Sequence, residues 1–160
     1  MAKAWANIDV ALKQRHDELP NLVEAVRDLM DFERDTLTRV TRLRAAYAPD
    51  EPIPAQAAVS EATSTAVRQL FAVVEQYPEI RSQANVLDLQ AEIERLEGIL
   101  ADRRELYNDT VYRYDTRIQQ FPTNLLAGLF GWRERPFFAA PAGEGSAAAV
   151  DLSGEGPDRG

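Results

Sequence analysis

The chain has 160 residues, 45% of them apolar and 28% charged, with a net charge of −8 and an isoelectric point near 4.7. That composition supports one domain with a core, while the acidic balance argues against nucleic-acid binding through a basic patch and against electrostatic docking on anionic lipid. The lack of cysteine excludes disulfides, zinc–thiolate sites, iron–sulfur clusters and thiol chemistry.

The first element is a helix over about Ala4–Tyr47. Trp5, Ile8, Leu12, Leu19, Leu22, Val26, Leu29, Leu37, Val40, Leu43 and Tyr47 recur at steps of three and four, with Arg15 and Glu33 on the same stripe. Pro20 lacks an N–H and crowds the carbonyl four residues back, so the helix is expected to kink or break there. Ala48–Pro54 carries three prolines and reads as a surface connection. A second helix follows over about Ala55–Gln76, its first half rich in Ala, Ser and Thr, so that it either packs closely or frays. Apolar positions left exposed along it are a possible route to self-association.

The longest helix is expected over Val86–Phe121, where Val86, Leu89, Ile93, Leu96, Leu100, Tyr107, Val111, Tyr114, Ile118 and Phe121 form one stripe with a gap filled by Arg103 or Arg104. Pro122 ends it, and Thr123 is placed to cap a short helix over Asn124–Phe130. Gly131–Phe138 is aromatic and extended, and is expected to fold back on the bundle. Residues 141–160 hold Ala, Gly, Ser, Pro and acids, a composition that predicts a disordered acidic tail after a domain over residues 1–140.

The fold class that follows is all-α: an elongated antiparallel bundle of three long helices, the first kinked or broken near Pro20, plus a short C-terminal helix. At about 1.5 Å per residue the three would span roughly 65, 33 and 53 Å, so either the first bends sharply near Pro20 into a further arm, the arrangement with better burial, or the first and third overhang the second.

Catalytic signatures are sparse. His16 is the single histidine, which rules out a paired Glu-x-x-His di-iron site and reads as an ordinary helix histidine rather than a triad base. No glycine-rich phosphate loop or calcium loop occurs, no metal or cofactor is implied, and the expectation is a non-catalytic protein. The informative residues are charged or amide groups at core-facing positions, where an unpaired charge is costly: Arg15, Glu33 and Arg104, with Asp9, Glu97 and Asn108 adjoining. They could fix helix register through buried pairs, or line a polar pocket for a ligand.

The segments Trp5-Ala-Asn-Ile8-Asp9-Val-Ala-Leu12-Lys13-Gln-Arg15-His16-Asp17 and Pro20-Asn21-Leu22-Val23, then Tyr77-Pro78, Arg104 with Tyr107-Asn108-Asp109, and Phe121-Pro122-x-Asn124 through Phe130 resemble the LemA family of bacterial proteins. The resemblance implies an all-α bundle, usually tethered by a membrane-spanning helix just upstream of the tryptophan, with no catalytic residues to transfer. It adds Asp17 to the candidate polar network, which then comprises Asp9, Arg15, Asp17, Glu33, Glu97, Arg104 and Asn108.

The function expected is protein–protein interaction near the bacterial membrane. The candidate interaction surface is Trp5, Phe130, Trp132, Phe137 and Phe138, since interfaces recruit Trp and Phe. The alternatives are a small-ligand receptor or enzyme built on the polar seam, and a structural homo-oligomer. The partner is another protein or a second copy, with no nucleic acid. As written the chain reads as soluble and cytoplasmic, with membrane association only through an anchor preceding Met1 or a membrane partner.

Overall fold

The computed structural model describes residues 1–29 and 31–139 and is all-α, with no strand among those residues. The helices are α1 (Ala2–Ala25), α2 (Arg34–Ala45), α3 (Ile53–Val74), α4 (Pro78–Arg81), α5 (Ala84–Gln119) and α6 (Thr123–Phe130), with a 3₁₀ turn at Arg27–Leu29. The expected acidic tail, 141–160, lies outside the described residues.

The first expected helix is two helices, and the break is not at Pro20. α1 runs through Pro20 and ends at Ala25. Pro20 leaves the His16 carbonyl without its helical donor, and the Arg44 guanidinium from α2 donates Nε–H to that oxygen at 3.4 Å. With the orphaned carbonyl served from a neighbouring helix, the proline is tolerated. The chain turns instead over residues 26–33, where Leu29 N–H bonds the Val26 carbonyl and Glu33 N–H bonds the Leu29 carbonyl.

Burial explains why the turn falls there. Val26, Leu29, Leu37 and Val40 are all fully enclosed in one cluster with Leu70, Val74, Val86 and Ile93. Val86 lies in the first turn of α5, so a helix continuing straight past Val26 would run off the end of its partner. Folding back keeps Leu37 and Val40 covered.

α1 lies along α5 and α2 along α3. Arg15 meets Glu97 and Trp5 meets Tyr107, so α1 and α5 run in opposite directions. A second cluster joins Ile8, Ala11 and Leu12 to Ala57, Leu100, Tyr107, Val111 and Phe138. α3 turns Ala57, Ala66, Val67, Leu70 and Val74 inward, while Val59, Phe71 and Val73 are partly buried.

Past Gln119 the chain leaves the helix, because the residue before a proline is pushed to extended geometry. Phe121, placed on the buried stripe by its spacing, is therefore 79% exposed. Thr123 is the first residue of α6 rather than its cap. Gly131 ends α6 at φ 66°, and Trp132 N–H closes back on the Ala127 carbonyl at 2.9 Å, a helix stop that needs the left-handed conformation glycine adopts freely.

Candidate functional site

Arg15 sits on α1 one turn below Leu12, facing α3 and α5. It is 3% exposed, and its guanidinium is fully engaged at both terminal nitrogens. Nη1 donates to Glu97 Oε1 and to Ser64 Oγ, each at 2.8 Å. Nη2 donates to Ser60 Oγ at 2.9 Å and to the Ser60 carbonyl at 3.4 Å. Ser64 Oγ in turn donates to Glu97 Oε2. Ser60 and Ser64 stand one turn apart on α3 and offer both oxygens to a cation crossing from α1. One carboxylate, two hydroxyls and a carbonyl thus satisfy one buried charge. Such a cluster fixes the register of three helices at once.

The other candidates of the polar network do not join it. Asp9 accepts from the Tyr47 hydroxyl at 3.4 Å. Burial, then the neighbouring Asp9 carboxylate, pushes that phenol above its ordinary value. Asp17 is exposed, since two positions along a helix is about 200° around it and turns away from the Arg15 face. Glu33 stands just before α2 and pairs with no cation among the described residues; the turn over 26–33 breaks the phase that had put it on the stripe. Arg104 is half exposed and pairs at 2.9 Å with Glu61, which is similarly exposed. Its guanidinium carbon lies 5.9 Å from the Phe138 ring centroid. Asn108 works elsewhere, accepting from Phe138 N–H at 2.8 Å and donating to its carbonyl at 3.3 Å.

Ser60 and Ser64 escaped the sequence reading. Their signal was two serines four apart in the small-residue half of a helix, facing an arginine whose position was already noted.

The aromatic surface also divides. Phe138 is 2% exposed and, with Trp5 and Tyr107, forms a packed trio with centroid separations of 5.7 Å and 5.9 Å from Trp5. Burial raises the Tyr107 hydroxyl above its usual value, and that hydroxyl donates to the Pro136 carbonyl at 3.0 Å. Phe138 is therefore core, not surface, and Trp5 is partly buried against it. Phe130, Trp132 and Phe137 remain exposed, and they are joined by Phe121, Leu125, Leu126 and Leu129, the last 78% exposed. Phe130 and Trp132 stack at 5.7 Å. No charged residue occurs from Gln120 to Trp132, and Arg133, Glu134 and Arg135 follow. The result is an apolar end with a charged margin of both signs, on the same end of the molecule as the start of α1.

A third feature is a cavity of about 50 Å³ between α1, the end of α2 and the start of α3. Its wall mixes aliphatic side chains with polar and charged ones, Arg15, His16, Arg44, Glu51 and Gln56 among them.

Among the described residues no helix is long and apolar enough to cross a membrane. What the geometry defines is an all-α helical protein with an internally paired polar cluster and a large apolar end. Its sequence matches the model of the LemA family over residues 4–152, and the chain belongs to that family. Curated relatives include magnetosome proteins MamQ 2 and MamQ 1 of Paramagnetospirillum magneticum, each 36% identical over 80 residues. Magnetosome protein MamQ of Magnetospirillum gryphiswaldense is 30% identical over 80 residues. Each match covers 49% of this chain and 29% of the relative, so the similarity extends over under a third of their length.

Proposed function

We propose that the chain is a non-catalytic helical protein that works by binding another protein close to the bacterial membrane, through the apolar end built from Phe121, α6 and the Phe130–Trp132 pair. The observation that carries this reading is the contrast between the two candidate regions. The buried polar cluster pairs its charges internally, Arg15 with Glu97 and Ser64, and meets only a small cavity at Arg15 and Ser60. The α6 end exposes Phe121, Leu125, Leu129 and Phe130 within one short stretch of chain, apolar surface of the kind that soluble monomers rarely leave uncovered. Arg133, Glu134 and Arg135 at its margin suit a partner with an apolar centre and a polar rim.

The membrane location rests on the family. A membrane-spanning tether just upstream of the tryptophan, which the family resemblance implies, would enter at the start of α1, beside α6. The fit is to a docking end that faces the bilayer-proximal space.

The test is site-specific photocrosslinking in cells, with the crosslinker at Leu129 and, as control, at Arg68 on the exposed side of α3. A single protein adduct at Leu129 and none at Arg68 supports the reading. An adduct only with a second copy, matched by a concentration-dependent dimer in sedimentation, replaces it with the homo-oligomer. Adducts with lipid alone, or none, refute it.

A further inference from the structure

We infer that the groove between the start of α1 and the second half of α5 is a binding site for an extended peptide of a partner protein, one that carries an aromatic residue two places after a proline. The chain's own residues 134–138 fill that groove in cis and display the chemistry it accepts. The groove is separate from the α6 end, and the inference stands without the docking reading.

Very little of the chain's own segment is buried. Of residues 131–139 only Phe138 is enclosed, and the stretch has no regular secondary structure. One buried anchor in an exposed, extended stretch is how a short peptide is held on a folded surface. The helices beneath have other ties. Arg15 pairs with Glu97, and Ile8, Leu12, Leu100 and Val111 pack in one cluster across α1 and α5.

α5 reads the main chain of the segment. Arg104, Asn108, Asp115 and Gln119 fall at steps of four and seven, which puts them on one row of the helix. Asn108 accepts from the Phe138 N–H at 2.8 Å and donates to the Phe138 carbonyl at 3.3 Å. The two groups of one residue point to the same side in an extended chain, so this amide serves as the edge of a strand would. The Tyr107 hydroxyl donates to the Pro136 carbonyl at 3.0 Å, and the Asp115 carboxylate accepts the Arg135 N–H at 3.1 Å. Gln119 donates to the Glu134 carboxylate at 2.6 Å. All but the last engage backbone groups, so they select an extended course more than a sequence.

The side-chain choice comes from the pocket. The Phe138 ring lies 5.9 Å from Trp5 between centroids, with the Arg104 guanidinium carbon 5.9 Å from its centre. An aromatic wall and a cation over the ring favour an aromatic side chain over an aliphatic one. Pro136 has a fixed φ and pushes Arg135 to extended geometry, so a peptide with proline there loses less freedom on binding. Phe137 faces outward, 42% exposed, and the groove leaves that position open. A tethered occupant competes at a millimolar effective concentration, so a partner's peptide prevails through higher affinity or through a second contact on this surface.

The probe is a synthetic peptide of residues 133–139, blocked at both ends and titrated into the full chain. Shifts of the Trp5 indole and of the Ile8, Asn108 and Val111 amides report binding. In Phe138→Ala, which empties the pocket, binding should be saturable below millimolar concentration; Phe138→Leu takes its place if that variant does not fold. The native chain, its groove filled, should bind at least about tenfold more weakly. Alanine in place of the peptide's second phenylalanine should weaken binding by at least about tenfold. An ester in place of the amide between its two phenylalanines, which removes the N–H offered to Asn108, should cost about tenfold. Adding Asn108→Leu to the emptied chain should erase the difference between amide and ester. Absence of saturable binding to the emptied groove, equal binding by native and emptied chains, or indifference to the peptide's aromatic ring or amide N–H would each overturn the assignment.

Discussion

Removing the charge of Glu97 while keeping its shape probes the centre of the fold. In Glu97→Gln the Arg15 guanidinium, its side chain 4% exposed, keeps its serine partners and loses its counter-charge. A buried ion left unpaired costs about 3–5 kcal/mol. The converse change, Arg15→Met, strands Glu97, whose side chain is 25% exposed and retains Ser64 as a donor. Water can reach it, so that loss should be smaller, about 1–3 kcal/mol. The double variant Arg15→Met, Glu97→Leu replaces the pair by apolar volume and should return to within about 1.5 kcal/mol of the native chain. Urea unfolding followed by helical circular dichroism measures all three. With a slope of about 2 kcal/mol per molar, Glu97→Gln should lower the midpoint by roughly 1.5–2.5 M. If Glu97→Gln costs less than about 1 kcal/mol, or no more than Arg15→Met, the pair is screened like a surface salt bridge and this view of it is wrong.

Other expectations follow from single sites. Pro20→Ala restores a helical donor for the His16 carbonyl and should stabilise by about 1–3 kcal/mol; a loss in urea midpoint would mean that the Arg44 contact matters more than the missing N–H. Phe138→Ala should cost about 3–5 kcal/mol, as for a buried core phenylalanine, whereas Phe130→Ala should cost under about 1 kcal/mol. Equal thermal shifts for the two would contradict the division of the aromatic surface. Burial raises both Tyr47 and Tyr107, so the folded chain holds those protons more tightly than the unfolded one. Their contribution is intact below about pH 10 and falls as pH climbs past it. The drop in urea midpoint between pH 9 and 11 should shrink in Tyr47→Phe, and an unchanged drop would sink the assignment.

Much of this was legible in the sequence where a residue's own helix decided its fate. Arg15 stood on an apolar stripe and proved buried, and Glu97 was marked as adjoining. The long helix was read to within two residues at each end, because periodicity over 36 residues leaves little ambiguity. What failed depended on neighbours. Pro20 gave a sound reason for a break, yet Arg44 from another helix supplied the missing hydrogen bond, and the length of α5 placed the turn later. Glu33 lost its stripe position with that turn. Arg104 filled a gap in the spacing, but the gap lies at the edge of the bundle, where Glu61 and water reach it. Phe130, Phe137 and Phe138 have equal claims to burial by composition; only the Asn108 backbone contacts select Phe138. The cavity arises where three helices and a loop meet, and no single stretch encodes it.

The central claim is that the charged interior holds the fold while the α6 end makes the contact. The direct measurement is the yield of the partner adduct, with the photocrosslinker at Phe130 in cells, for two variants that both remain folded. Arg15→Met, Glu97→Leu should keep the adduct at the native level, and Leu125→Asn, Leu129→Asn should lose it. The reverse pattern, loss with the interior pair replaced and retention with the apolar end made polar, would put the function in the polar cluster and contradict the claim.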